Sequence, residues 1–444
     1  MLPSRVLEVS GVVPRSEIDA LTAVPGATAA RGDREEQMRP TGRCLLAAVA
    51  IGGAAIVTNP AAAQKRYDPG ASDTEIRIGN IVPYSGPASA YGVVGKTIAA
   101  YFNKVNAEGS INGRKIRLIS YDDAYSPPKT VEQARKLVEN DEVLPIFYSL
   151  GTPTNTAIQR YMNARKVPHL FVASGAAKWN DPANFPWTMG WAPSNQSEGH
   201  IYAQYLLRNH PHGKIAILYQ NDDFGKDYLK GLIDGLGGKI PIVAQAPYQT
   251  TDPTPDSQIV SLQTSGADIF FDVTTPKFAA QAIKKVSEIG WKPLHFLNNV
   301  SRSIGAVLRP AGLQNAEGIL SAGYTKDATD PTWSEDEAFK EWSAFMDRYY
   351  PGGDKTDNLT VVSYAAAQTL VQVLERCGDD LTRDNVLRQA TSLHELRLGM
   401  LLPGITINTS QNDYAPLKQM QMMRFTGARW ELFGPVLQGK VGSY

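Results

Sequence analysis

Short apolar runs alternate with amphipathic stretches from residue 76 to residue 322, and no other feature restricts the fold so tightly. The apolar runs fall at 76–82, 115–121, 143–149, 169–173, 214–219, 240–247, 268–274, 294–298 and 317–322. Between them, helix-period patterns occupy 93–106, 129–140, 154–164, 197–209, 225–236, 256–264, 277–289 and 303–310. Strands that alternate with helices predict parallel sheets covered on both faces. IAILY at 215–219 and IFFDV at 269–273 are apolar nearly throughout, as doubly covered strands require. The chain then turns helical at 335–349, 359–376 and 383–391, and ends on strand patterns 418–425 and 429–433 around the Thr426-Gly427 turn. Two aperiodic tracts, 179–197 and 321–333, interrupt the alternation and divide it into two lobes.

The first 63 residues are set apart. A basic start at Met38-Arg39-Pro40 leads into an apolar run from Cys44 to Val57, then Ala61-Ala62-Ala63, which is the order of a secretory signal with Gln64 as the mature start. The run of 14 residues is shorter than the ~20 a membrane span needs. Residues 1–37 read as an extension upstream of the signal, which occupies about 38–63. Export leaves Cys377 as the one thiol, so an internal disulfide is excluded and the cores must supply the stability. Lys plus Arg and Asp plus Glu balance at 44 each, which argues against nucleic acid as partner because phosphate binding needs a basic footprint. Enzyme signatures are missing. There is no G-x-S-x-G, the 235–238 glycines follow a helix instead of a strand, and the six histidines show no metal-ligand spacing. The reading is therefore a non-enzyme without metal or cofactor.

Binding chemistry is expected at the carboxyl ends of the strands, where open α/β sheets take ligands. The tracts IRIGNIVPYSGPASAYG at 76–92, IRLISYDDAYSPPKT at 116–130 and IFYSLGTP at 146–153 each run from a strand into a loop of small, hydroxyl or aromatic residues. In this order they resemble the type I periplasmic binding proteins of the branched-chain amino-acid transporter family, and the resemblance runs from about Glu75 to the C-terminus. It implies two doubly wound parallel-sheet lobes joined by a three-strand hinge, with ligand gripped between them. One lobe would be 75–191 with 327–402, the other 197–320 with 418–444, and the hinges would lie near 192–197, 320–326 and 403–417.

The resemblance also implies site residues. Ser85 and Tyr91 match a loop whose aromatic residue touches the ligand, and Thr152 matches a hydroxyl that binds a carboxylate. Ser174, Gly175 and Ala176 match the loop that completes the carboxylate site. Phe224, Thr274 and Thr275 match contacts from the second lobe. Asp122 and Asp123 read as structural loop acceptors, and Trp179 and Trp191 as cleft or hinge residues.

Three departures bear on the ligand. Amino-acid binders of the family place a glutamate after the strand that here reads HFLNNV; Asn298, Asn299 or Val300 stands there, and no acidic residue occurs between Glu288 and Glu317. Ala177 stands where a threonine is common. The positions of a disulfide found in some members hold Tyr125 and Gly151. An anion site kept beside a lost cation site, with Tyr91, Tyr125 and Phe224 as ring surfaces, implies an organic and plausibly aromatic acid. Alternatives are a branched-chain amino acid or amide, or a ligand-sensing domain serving a partner receptor. The expected setting is the periplasm, as a monomer delivering ligand to an ABC permease in the inner membrane.

Overall fold

The computed structural model describes residues 65–440; the upstream extension, the signal segment and residues 441–444 lie outside the described residues. The first sheet has five strands, all parallel, in the edge-to-edge order Lys115–Asp122, Glu75–Val82, Ile146–Phe147, His169–Val172, Thr188–Gly190. Glu75–Val82 lies inside the sheet, and every residue from Ile78 to Val82 is buried, in keeping with helices on both faces. The second sheet has seven strands, ordered Trp430–Gln438, Gln419–Phe425, Leu320–Gly323, Leu294–Leu297, Ile269–Val273, Ile215–Gln220, Ile242–Tyr248. Its last five strands are parallel, and the hairpin of Gln419–Phe425 and Trp430–Gln438 joins antiparallel at one edge. The second lobe is thus mixed at that edge. A hairpin needs only the tight turn that Gly427 provides at φ +87°, whereas a further parallel strand needs a crossover.

The helices start where the sequence supplies caps or prolines. Asp222, Asp357 and Ser194 accept backbone N–H groups at the starts of Asp223–Leu236, Asn358–Cys377 and Asn195–Asn209. Pro153 and Pro276 sit in the first turns of Thr152–Arg165 and Pro276–Glu288, where a missing N–H costs nothing. The helix expected at 303–310 is instead a π turn, Ile304–Leu308, followed by the single turn Arg309–Ala311 that contains Pro310. The expected strand at 143–149 contracts to Ile146–Phe147 because Tyr148 turns left-handed, with φ +52°. The aperiodic tract after Trp179 also hides a strand, Thr188–Gly190, too short for its alternation to register.

The chain passes between the sheets three times. The first crossing follows Gly190 and is anchored by fully buried Trp191, whose Nε1–H donates to Thr369 Oγ1 at 3.0 Å. The second follows Gly323 and pairs antiparallel with the third, through Leu402 N–H to Tyr324 O at 3.0 Å and Lys326 N–H to Met400 O at 2.9 Å. Between these two crossings, helices Glu337–Tyr349 and Asn358–Cys377 pack against Gly92–Ala107 of the first lobe. The second crossing is also held by Arg302, which donates to Asp327 at 2.9 Å and to Thr325 Oγ1 at 3.1 Å while only 1% exposed. No helix among the described residues is long and apolar enough to cross a membrane.

Candidate functional site

The carboxyl ends of both sheets face one cavity of about 60 Å³. Each strand end sends a short loop into it: Tyr91 after Glu75–Val82, Tyr125 after Lys115–Asp122, Tyr148, Leu150, Gly151 and Thr152 after Ile146–Phe147, and Ser174 and Gly175 after His169–Val172. The second lobe contributes Phe224, Thr275, Asn299 and Val300, and the second crossing adds Tyr324. Asn358, Leu359 and Val362 arrive on the helix that begins at Asn358. Five aromatic rings therefore line the space, and among the described residues none of the lining side chains is Asp, Glu, Lys, Arg or His.

The polar corner is built from a chain of hydroxyls. Ser174 Oγ accepts from Trp179 Nε1–H at 2.9 Å and from the Ala176 N–H at 3.2 Å. With both lone pairs used, its own proton points to Thr152 Oγ1, 2.7 Å away. The Thr152 hydroxyl is then left to donate toward an acceptor in the cavity. Thr152 is also the first residue of Thr152–Arg165, so the positive end of a helix adds to the donor. Its backbone N–H is met by the buried Tyr125 hydroxyl, whose ionisation burial makes harder still. On the opposing helix start, Asn358 is 4% exposed and its Oδ1 has no partner among the described residues.

Gly151 explains how Tyr125 enters the site. Its φ of +105° suits glycine, and a Cβ there would lie 2.5 Å from a Tyr125 ring carbon.

Several residues singled out from sequence sit elsewhere. Ser85 is exposed, and its hydroxyl donates to Asp122 at 2.5 Å. Asp122 also collects the N–H groups of Tyr84, Ser85 and Ala124, which turns the loop away from the cavity. Ala176 lies behind Ser174, and its N–H supports that hydroxyl. Thr274 donates to Asp272 at 2.5 Å, and its neighbour Thr275 lines the cavity. Asn298 ties two strand ends together, donating to Asp272 O at 3.1 Å and Thr274 O at 2.8 Å, and the next two residues face the cavity. At Thr274 and Asn298 the offset is one residue, which at a strand end reverses the facing. Tyr91, Tyr125, Thr152, Ser174, Gly175 and Phe224 all line the cavity. Tyr148, Tyr324 and Asn358 were not read from sequence; the TDNLT start of a helix at 356–360 signals a cap and nothing about a pocket.

Behind Asn299 lies Glu198, fully buried in the first turn of Asn195–Asn209. Its carboxylate accepts from the hydroxyls of Tyr202 at 2.6 Å and Tyr228 at 2.7 Å, from the Asn299 N–H at 2.8 Å, and from Asn299 Nδ2. Burial pushes its pKa up, and these donors partly offset the rise.

The lobes meet on both sides of the cavity. Lys178 pairs with Asp223 at 2.9 Å, and the Ala177 N–H donates to Asp227 at 2.7 Å. On the other side Asp354 packs where a Cβ on Gly305 would lie 2.0 Å from its carboxylate oxygen. This is a closed arrangement. Among the described residues no cluster of side chains could hold a metal ion.

Two α/β lobes, three crossings and a cavity at facing strand ends define a cleft-binding protein. The family model for the periplasmic binding proteins matches residues 75–429, and the chain belongs to that family. Among curated relatives, the Leu/Ile/Val-binding protein homolog 1 of Brucella suis is 23% identical over 318 residues, 70% of this chain and 81% of that one. The fold is also that of a fatty acid ABC transporter substrate-binding protein from Thermomonospora curvata, with TM-score 0.74 and 20% identity over 85% of this chain and 96% of that one. A branched-chain amino-acid ABC transporter protein from Thermus thermophilus with bound valine matches with TM-score 0.74 and 16% identity, covering 83% of this chain and 98% of that one.

Proposed function

We propose that the protein is the exported receptor of an ABC importer and that it captures a small organic acid lacking an α-ammonium, with aromatic carboxylates foremost. One observation carries this reading: the cavity has aromatic walls and a hydroxyl corner on a helix start, but no charged side chain in its lining. A carboxylate would take the Thr152 hydroxyl, beside the positive end of the helix. An ammonium would have no counter-charge within the lining, and leaving a cation unpaired in a dry site costs several kcal/mol. Rings stacked on Tyr91, Tyr125 or Phe224 would gain roughly 0.5–1.5 kcal/mol per pair beyond area burial. Closure over the ligand, with contacts on both lobes, is the signal a permease would read.

The relatives' names keep a second reading in view, in which the ligand is a branched-chain amino acid. Calorimetric titration separates the two. Benzoate-type acids should bind, and leucine and valine should bind more weakly or not at all. Micromolar leucine binding with no response to any aromatic acid would refute the proposal. A thermal-shift screen serves as the first pass, because ligand at 100 times its Kd adds about 2.7 kcal/mol of stability. N-terminal sequencing of protein recovered from the periplasm should begin at or near Gln64.

A further inference from the structure

Most carboxylates around the cavity are engaged elsewhere. Asp222 and Asp357 cap helix starts, Asp272 holds Thr274, and Asp327 pairs with Arg302. Glu198 differs from all of these. It is fully buried, no cation among the described residues bonds to it, and a side-chain amide of the cavity wall, not only a backbone N–H, satisfies it. That group is Asn299 Nδ2, a nitrogen donor in direct contact with a carboxylate oxygen. The amide orientation is fixed by this contact, since the reverse orientation would set two acceptors against each other.

We propose that Asn299 decides the charge class of the ligand: its side-chain amide stands where a ligand ammonium would pair with Glu198, and so excludes α-amino acids from the cavity. The inference rests on the organic-acid reading above and extends it to a named pair of residues. The acid needed for an ammonium site is present one layer behind the wall. The wall residue satisfies it internally, so an incoming ammonium gains nothing and loses its water. The Asn299 backbone N–H and the two tyrosine hydroxyls still hold Glu198 when the side chain is shortened. Removing the amide then opens a carboxylate to the cavity.

The test uses ligand pairs that differ only in the α-ammonium: 3-phenylpropanoate with phenylalanine, and 4-methylpentanoate with leucine. Each is titrated calorimetrically into wild type, Asn299→Ala, and Asn299→Ala with Glu198→Gln. Wild type should favour the amino-free member of each pair. Asn299→Ala should move the ratio of Kd values toward the amino member by at least roughly tenfold, as desolvated charge pairs do. The double variant should return the ratio to that of wild type. Asn299→Ser replaces Asn299→Ala if the latter does not melt cooperatively. A ratio unmoved in Asn299→Ala, beside a wild type that favours amino-free acids, overturns this inference alone. A gain that survives Glu198→Gln also overturns it. A wild type that favours the amino members overturns the organic-acid reading, and an unmoved ratio in Asn299→Ala then removes both.

Discussion

Replacing Asp357 with asparagine should make the protein more stable at neutral pH. Asp357 is 5% exposed, caps the helix of Asn358–Cys377 through the Leu359 N–H at 3.0 Å, and meets Ser303 and Arg302 of the opposite lobe. Burial raises its pKa from the usual 3.8 to about 6, against the pull of the Leu359 N–H, the Ser303 hydroxyl and Arg302; the charge of Asp354 raises it further. A folded carboxyl with a raised pKa holds a proton that the unfolded chain has released. Its contribution is therefore fully present below about pH 4 and is lost as pH rises through about 6. At ~1.4 kcal/mol per pKa unit the loss is about 3 kcal/mol. Asparagine caps a helix as well as aspartate and cannot ionise. In urea unfolding followed by tryptophan fluorescence, Asp357→Asn and wild type should therefore be nearly equal at about pH 4. The variant should lead by about 3 kcal/mol at pH 8. A gap that does not change with pH, or a variant weaker at pH 8, would refute the reasoning. It would mean that Arg302 and the helix start outweigh desolvation.

Gly151→Ala should cost about 2–5 kcal/mol, from the φ of +105° and the clash with Tyr125, read as a lower denaturant midpoint; an unchanged midpoint would refute it. Asp327→Ala should cost about 3–5 kcal/mol by stranding the buried Arg302 guanidinium. Lys340→Ala, at an exposed ion pair, should leave the denaturant midpoint unchanged in the same assay. Thr152→Ala should weaken binding of the carboxylate ligand by about 1.5–3 kcal/mol in calorimetry, and an unchanged Kd would remove Thr152 from the anion site.

The fold was legible because its signal is repeated. Strands such as Ile215–Gln220 and Ile269–Val273 are buried on both faces, so their apolar runs stand out from the amphipathic helices between them. What stayed hidden is set by backbone conformation or by distant partners. Nothing in the residues around Tyr148 announces its left-handed turn, and that turn is what ends a strand and brings the ring into the cavity wall. The site could be read where a whole loop faces inward, as at Thr152 and Ser174. Where a strand ends, the sequence points to neighbours together, Thr274 with Thr275 and Asn298 with Asn299, and only the backbone decides which of each pair faces the cavity. Ser85 was misplaced because Asp122, on the neighbouring strand, holds it. Glu198 was missed because it lies on a helix about a hundred positions from the residue that covers it.

The second crossing returns the chain to the first lobe, and this has a consequence for how the protein is made. The cover over Gly92–Ala107, and with it Asn358, Leu359 and Val362 of the cavity, comes from residues beyond 336. The first lobe to be synthesised is the last to be completed. Until those helices arrive, the side of Gly92–Ala107 they cover has no partner, and long-range pairing of this kind is slow and open to aggregation. This dates the binding site: the cavity wall is assembled only when most of the sequence has been made.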